Sequence, residues 1–187
     1  MKFTVFTIPL FVLTAMFNSI GVAQSTDAVE QAEKANDRKS DDKEVNEEDA
    51  NFLARAAEMR MSDFQEGKLA TEKSNNELIK NYGKLMMKDQ QMLLAEIKLL
   101  ASNKNISLPD DISNSQADER NDLLKESGIN FDRKFVSVMA DDHERDVQLF
   151  EEASSSSDKK ISQFAEKYLP LIESHLERIK AIENQIK

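Results

Sequence analysis

The chain has 187 residues, no cysteine, and 35 Asp and Glu against 25 Lys and Arg, for a net charge of −10. This acidity argues against nucleic acid as a partner, because phosphate backbones are bound by clustered Lys and Arg. The absence of cysteine excludes disulfides and a lipid-modified N-terminal cysteine. Four Gly and three Pro indicate few turns and long helices, so the sequence predicts an all-α protein stabilised by an apolar core.

The first 23 residues have the pattern of a secretory signal peptide. Lys2 supplies the positive start, residues 3–17 are largely apolar, and Gly21-Val22-Ala23 is a small-residue cleavage site. An apolar run of about 15 residues is shorter than the roughly 20 that a membrane-spanning helix needs. We expect cleavage after Ala23, export to the periplasm or cell envelope of a Gram-negative bacterium, and no transmembrane span afterwards. An uncleaved membrane anchor is the alternative.

Residues 24–45 are polar and charged with only scattered Ala and Val. Such a composition buries too little apolar surface to offset the entropy of ordering, so the sequence predicts a disordered tether. Removing Lys2 with the signal leaves 24 basic against 35 acidic side chains, a net charge of −11 for the mature chain. The charged tether is also the one feature that favours an adaptor role with a protein partner.

Residues 46–187 are predicted to form one domain of four long helices. The first begins near Asn46, and a capping-box pattern at Ser74-Asn75-Asn76-Glu77 starts the second. The third carries an apolar stripe from Phe131 and ends in the serine run 154–157. The last contains Pro170, which should bend it. Apolar residues recur at helical spacing, for example Phe52, Leu53, Ala56, Ala57 and Phe64, then Leu78, Ile79, Tyr82, Met86, Leu93 and Ile97.

A long connection separates the second predicted helix from the third. Residues 103–130 contain Pro109 and a short amphipathic helix around Ser115–Glu126, with Ser115 as its expected cap. Two helical hairpins joined by one long crossover is the connectivity of a ferritin-like four-helix bundle.

Helical projection places eight polar residues inside the apolar arcs rather than opposite them. Because all lie near the middle of their helices, we expect them to meet at one level of the bundle. This polar cluster consists of Arg60, Asp63, Asp89, Gln90, Asp142, His143, Asp146 and His175.

The polar cluster has three interpretations. Arg60 could neutralise the carboxylates in a closed ionic network, because buried charges are costly unless paired. The helices could instead turn these groups to the protein's boundary with water. Alternatively, a divalent cation such as iron, manganese or zinc could be bound by His143, His175, Asp89 and Asp146, since bundle metal sites use inward imidazoles and carboxylates.

Two further chemistries are weaker. Methionine sulfur can bind copper, but methionine more often fills irregular core space; the residues concerned are Met59, Met61, Met86, Met87 and Met139. The sequence offers no catalytic nucleophile arrangement, with two histidines, no cysteine and no glycine-rich phosphate loop.

Several short motifs occur along the predicted helices: Glu66-Gly67-Lys68-Leu69-Ala70, Met86-Met87-Lys88-Asp89, Ser127-Gly128 with Phe131-Asp132-Arg133, His143, and Leu169-Pro170 with His175-Leu176. Together they resemble a bacterial family, the ferritin-like domain of unknown function DUF4142, whose members are often labelled outer membrane proteins.

The resemblance implies a ferritin-like four-helix fold, export to the periplasm and no established activity. Relatives typically carry histidine after the aspartate matching Asp89, where this chain has Gln90, and a small residue where it has Arg60. A histidine site of the family would therefore have lost one ligand here and gained a cation. We expect a non-catalytic envelope or stress-related role, with a metal-binding or metal-dependent redox protein as the alternative.

Overall fold

The computed structural model describes residues 27–41 and 45–186. Within these ranges the chain forms six α-helices and no strand, which confirms the all-α prediction. Their bounds are α1 Ala28–Asp41, α2 Glu47–Lys73, α3 Glu77–Asn103, α4 Asn114–Lys125, α5 Gly128–Ser154 and α6 Lys159–Gln185. The predicted signal peptide lies outside the described residues.

The four long helices, α2, α3, α5 and α6, pack as two hairpins, α2 with α3 and α5 with α6. In addition, α2 contacts α5 and α3 contacts α6. The starts of α3 and α5 share one group of buried residues and their ends share another, so these two helices run in the same direction. Residues 104–127 must therefore return along the outside of the helices, and α4 within this crossover packs on α2 and α5.

The apolar interior consists of two separate cores. The first core lies near the start of α2 and includes Phe52, whose ring meets that of Phe150 edge-on at 5.1 Å between centroids. The second core lies near the end of α2 and includes Tyr82 and Phe135, whose ring centroids are 6.3 Å apart. The level between the two cores is filled by polar side chains.

Helices α2 and α3 touch through their backbones at two glycines. A Cβ atom on Gly67 would lie 2.8 Å from the carbonyl oxygen of Gly83 and 3.0 Å from the Cβ of Met86. A Cβ atom on Gly83 would likewise meet the carbonyl oxygen of Gly67. Contacts this short leave no room for a side chain, so the two glycines fix how far α2 and α3 can slide past each other.

The N-cap residue predicted from the sequence is confirmed for one helix and differs for two others. The side chain of Asn46 caps α2, accepting a hydrogen bond from the backbone N–H of Asp49 at 2.9 Å, which confirms the predicted start. Helix α3 is capped by Asn76 rather than by Ser74. Helix α4 is capped by Ser113, so the prediction of Ser115 as its cap is wrong.

The predicted stripe on α3 also contains one error. Leu78 is 43% exposed, because it is the second residue after the N-cap Asn76 and faces out of the first turn. Pro170 lies inside α6 at an exposed position, where its missing N–H removes one helical hydrogen bond.

The segment expected to be a disordered tether contains helix α1, which packs on α2. Asn36 is buried and pairs with the crossover twice: its amide donates to the carbonyl oxygen of Ser107 at 2.9 Å and its side-chain oxygen accepts from the N–H of Ser107 at 2.8 Å. Lys39 donates to the carbonyl oxygen of Asn105 at 2.7 Å. Composition measures apolar surface only, so it missed a helix that is docked by hydrogen bonds.

We expect Asn36→Ala to detach α1 from the crossover while leaving the four long helices folded. Losing both hydrogen bonds leaves buried backbone groups of Ser107 unsatisfied, at a cost of roughly 1–3 kcal/mol. Hydrogen exchange of residues 28–41 should rise sharply. The exposed Asp37→Ala is the matched control, and equal exchange in both variants would contradict this account of α1.

Candidate functional site: a buried polar cluster

All eight residues of the polar cluster are buried, with 8% or less of each exposed to solvent. They come from α2, α3, α5 and α6 and lie between the two apolar cores. The structure therefore brings every member to the interior, and the boundary placement considered above does not apply.

Arg60 is the central cation. Its guanidinium Nη2 donates to Asp146 Oδ2 on α5 and lies 3.5 Å from Asp63 Oδ2 on its own helix. Burial by itself would lower the pKa of Arg60, but Asp146 and Asp63 outweigh it and raise the pKa, so the side chain remains charged. The guanidinium also lies 5.9 Å from the ring centroid of Phe150.

Asp63 joins Arg60 to the rest of the polar cluster. Its Oδ2 accepts a hydrogen bond of 2.8 Å from the amide of Gln90 on α3, and it lies 3.9 Å from Nε2 of His143 on α5. One carboxylate therefore contacts groups from three helices.

The two histidines stand edge to face with 5.6 Å between ring centroids. His143 Nδ1 is 2.9 Å from the carbonyl oxygen of Met139, which requires the proton on Nδ1 and leaves a lone pair on Nε2. His175 Nε2 is 3.1 Å from Asp89 Oδ2. Burial lowers the pKa of both histidines to about 4, so both are neutral at pH 7.

Asp142 lies at the edge of the polar cluster. Its Oδ1 accepts from Arg145, whose side chain is about half exposed, and its Oδ2 has no hydrogen-bond partner among the described residues. The pair marks the side on which the polar cluster approaches solvent.

One functional residue was missed from the sequence. Glu66 is fully buried one turn after Asp63, and neither of its carboxylate oxygens has a hydrogen-bond partner in the described part of the chain. Ser62 is nearby, but its hydroxyl donates to Gln116. The signal available in the sequence was the i, i+3 spacing from Asp63, next to a glycine that marks a close helix contact.

Asp63, Glu66 and Asp142 form what we call the carboxylate triad. One oxygen from each lies within 4.8 Å of the others. Burial and the nearby carboxylates raise the pKa of Glu66 well above its usual range. Burial also raises the pKa of Asp63 to about 7, against the opposing effect of Arg60, and that of Asp142 to about 8.

The ligand set predicted from the sequence does not converge. Asp146 is held by Arg60 and Asp89 by His175, and among the described residues only the carboxylate triad gathers three potential ligands. The methionines are dispersed as well: Met86 and Met139 belong to the second core, while Met59 and Met61 line different surface pockets.

Residues 23–182 match a family described as Domain of unknown function (DUF4142). The chain belongs to this family. No curated protein and no solved structure matches this chain. In the described ranges of this DUF4142 protein, no helix combines the length and the apolar character required to cross a membrane.

We expect Arg60→Met to destabilise the DUF4142 protein by about 3–5 kcal/mol at pH 7, because it leaves Asp146 and Asp63 buried without their cation. Lys180→Met is the control, since its half-exposed ion pair with Glu144 should contribute no more than about 1 kcal/mol. Urea unfolding measures both. Adding Asp146→Leu to Arg60→Met should recover part of the loss. Similar small losses for both single variants would contradict a central role for Arg60.

The raised carboxylate pKa values predict a stability that falls with rising pH. Asp63 and Asp142 hold protons in the folded protein up to about pH 7 and 8, whereas the unfolded chain has released them. The two histidines are neutral in the folded protein and lose their remaining protons in the unfolded chain just above pH 6.5, so they oppose this fall by about 1 kcal/mol at most. The free energy of unfolding should therefore drop by about 1–3 kcal/mol between pH 6.5 and 8.5 in chelator-treated buffer.

Asp142→Asn should make this pH dependence shallower, because one of the titrating groups is removed. Asp132→Asn, a buried carboxylate at the start of α5, should leave it unchanged. A free energy that rises between pH 6.5 and 8.5 would show that the triad is ionised throughout.

Proposed function

We propose that this DUF4142 protein is an exported, ferritin-like four-helix bundle with a non-catalytic, stress-related role in the bacterial envelope. In this proposal the polar cluster is a structural element that specifies how the helices pair. The observation that supports it most is the burial of all eight cluster residues between two apolar cores, with Arg60 bridging α2 and α5.

The internal pairing supports a structural role over a catalytic one. Arg60 contacts Asp146 and Asp63, Gln90 contacts Asp63, and His175 contacts Asp89, so internal contacts of the polar cluster link all four long helices. Buried polar contacts of this kind can fix register, because any shift of one helix breaks them at a large cost.

The histidine-based metal or redox alternative is not favoured. A first-row metal bound by His143, His175, Asp89 and Asp146 would have to displace Arg60 from Asp146. These four side chains also do not gather their ligand atoms in one place among the described residues.

Export rests on residues 1–23, and processing of the full chain tests it. When the protein is produced in a Gram-negative host, it should be recovered from the periplasmic fraction. Its intact mass should equal that of a chain beginning at Gln24. Ala23→Phe should leave the unprocessed precursor, since signal peptidase requires a small residue there. Wild-type protein that remains in the cytoplasm at full mass would exclude the envelope role.

Complementation of a deletion strain under envelope stress tests the non-catalytic part of the proposal separately. The double variant Arg60→Met with Asp146→Leu is expected to keep the fold while removing the central ion pair. It should complement as well as wild type at matched protein levels. Failure to complement at equal abundance would assign the charges a role in chemistry or binding.

A further inference from the structure

The polar cluster and Glu66 together leave negative charge uncompensated at the contact between α2 and α5. Four carboxylates, those of Asp63, Glu66, Asp142 and Asp146, are accompanied by two guanidinium groups, those of Arg60 and Arg145. Two protons or one divalent cation would restore balance, since an isolated buried carboxylate is strongly unfavourable.

An independent feature next to the carboxylate triad also calls for a cation or a proton. The lone pair on His143 Nε2 is fully buried, has no hydrogen-bond partner among the described residues, and lies 3.9 Å from Asp63 Oδ2. When Asp63 is ionised, both atoms are acceptors and no donor lies between them. A proton on Asp63 or a cation bound beside the two atoms would satisfy them.

Glu66 repeats this pattern inside the triad. Both of its oxygens are buried and without hydrogen-bond partners in the described residues, as is Oδ2 of Asp142. Native proteins leave few buried polar atoms without a partner, and a bound ion is one of the recognised ways in which such atoms are satisfied.

The dimensions of the triad suit a hard cation. Oxygen ligands lie about 2.0–2.6 Å from Mg²⁺ or Ca²⁺, so opposing ligands are about 4–5 Å apart. The triad oxygens lie within 4.8 Å of one another. Carboxylates are the ligands that calcium, magnesium and manganese prefer.

We propose that Asp63 and Glu66 of α2 and Asp142 of α5 bind one divalent, oxygen-preferring cation such as Ca²⁺ or Mn²⁺. This goes beyond the structural role proposed above. The ion would join α2 to α5 one turn from the Arg60–Asp146 bridge, and Arg60 can retain that bridge because the triad does not include Asp146. Asp142, at the solvent-facing edge beside Arg145, marks the entry side.

The test uses mature protein stripped with a chelator and titrated separately with CaCl₂ and MnCl₂, up to about 5 mM because weak extracellular calcium sites bind at 0.1–1 mM. Calorimetry should give saturable binding with one ion per chain for at least one of the two salts. The melting temperature should rise with the concentration of that ion.

Glu66→Gln separates a ligand from a residue needed for folding. The glutamate has no hydrogen-bond partner to lose, so the ion-free variant should melt no lower than ion-free wild type. It should nevertheless bind the ion at least about tenfold more weakly, as expected for a lost ligand. Asp132→Asn, a buried carboxylate of α5 outside the triad, should bind like wild type.

Two results would overturn the proposal: no saturable binding of either ion to wild type, or equal affinity in wild type and Glu66→Gln. Neither would affect the proposed structural role, which is judged by the stability of the Arg60 variants and by export. Binding of Ca²⁺ but not Mn²⁺, or the reverse, would support the site and identify its preference.

Discussion

Arg60 is buried between two helices, and its guanidinium contacts Asp146 on α5 and Asp63 on α2. Asp63 in turn contacts Gln90 on α3 and faces His143, so the arrangement of three helices at this level depends on one cation. An apolar side chain of similar volume would be cheaper to bury, but it would not distinguish one helix pairing from another.

The division of the interior into two cores follows from this polar level. Each core is closed by its own aromatic contacts, Phe52 with Phe150 on one side and Tyr82 with Phe135 on the other. Apolar packing alone tolerates shifts of one helix against another, whereas paired charges do not. The polar cluster therefore supplies the specificity that two similar apolar ends would lack, while the burial of Asp63 and Asp142 reduces stability as the pH rises.

Much of the fold could be predicted from the sequence because long helices are recognisable from the regular spacing of their apolar residues. The four long helices, the crossover helix and the burial of all eight cluster residues follow from apolar periodicity of about 3.6 residues. Helix α1 could not be predicted in this way, since Asn36 docks it through a loop that is distant in sequence. Glu66 was missed because a glutamate on a helix is usually solvated, and its burial here depends on α5 and α4, which bring Asp142 and Glu119 near it.

The ligand pairing was also beyond the sequence. Projection could place Asp146 and Asp89 on inner faces, but only three-dimensional contacts show that Arg60 and His175 occupy them. A helical wheel gives the direction of a side chain but not its partner. The sequence therefore could not show which of the inward-facing acids and histidines are paired with each other and which remain available to bind a cation.

The contact between Gly67 and Gly83 has an effect beyond the space that it saves. Asp63 precedes Gly67 by one turn and Gln90 follows Gly83 by two, so the place where the two backbones touch determines which side chains of α2 and α3 face each other. The geometry of the charged interior is thus set partly by two residues that carry no side chain. Any methyl group added there would misalign the neighbouring acid and amide without altering a single charge.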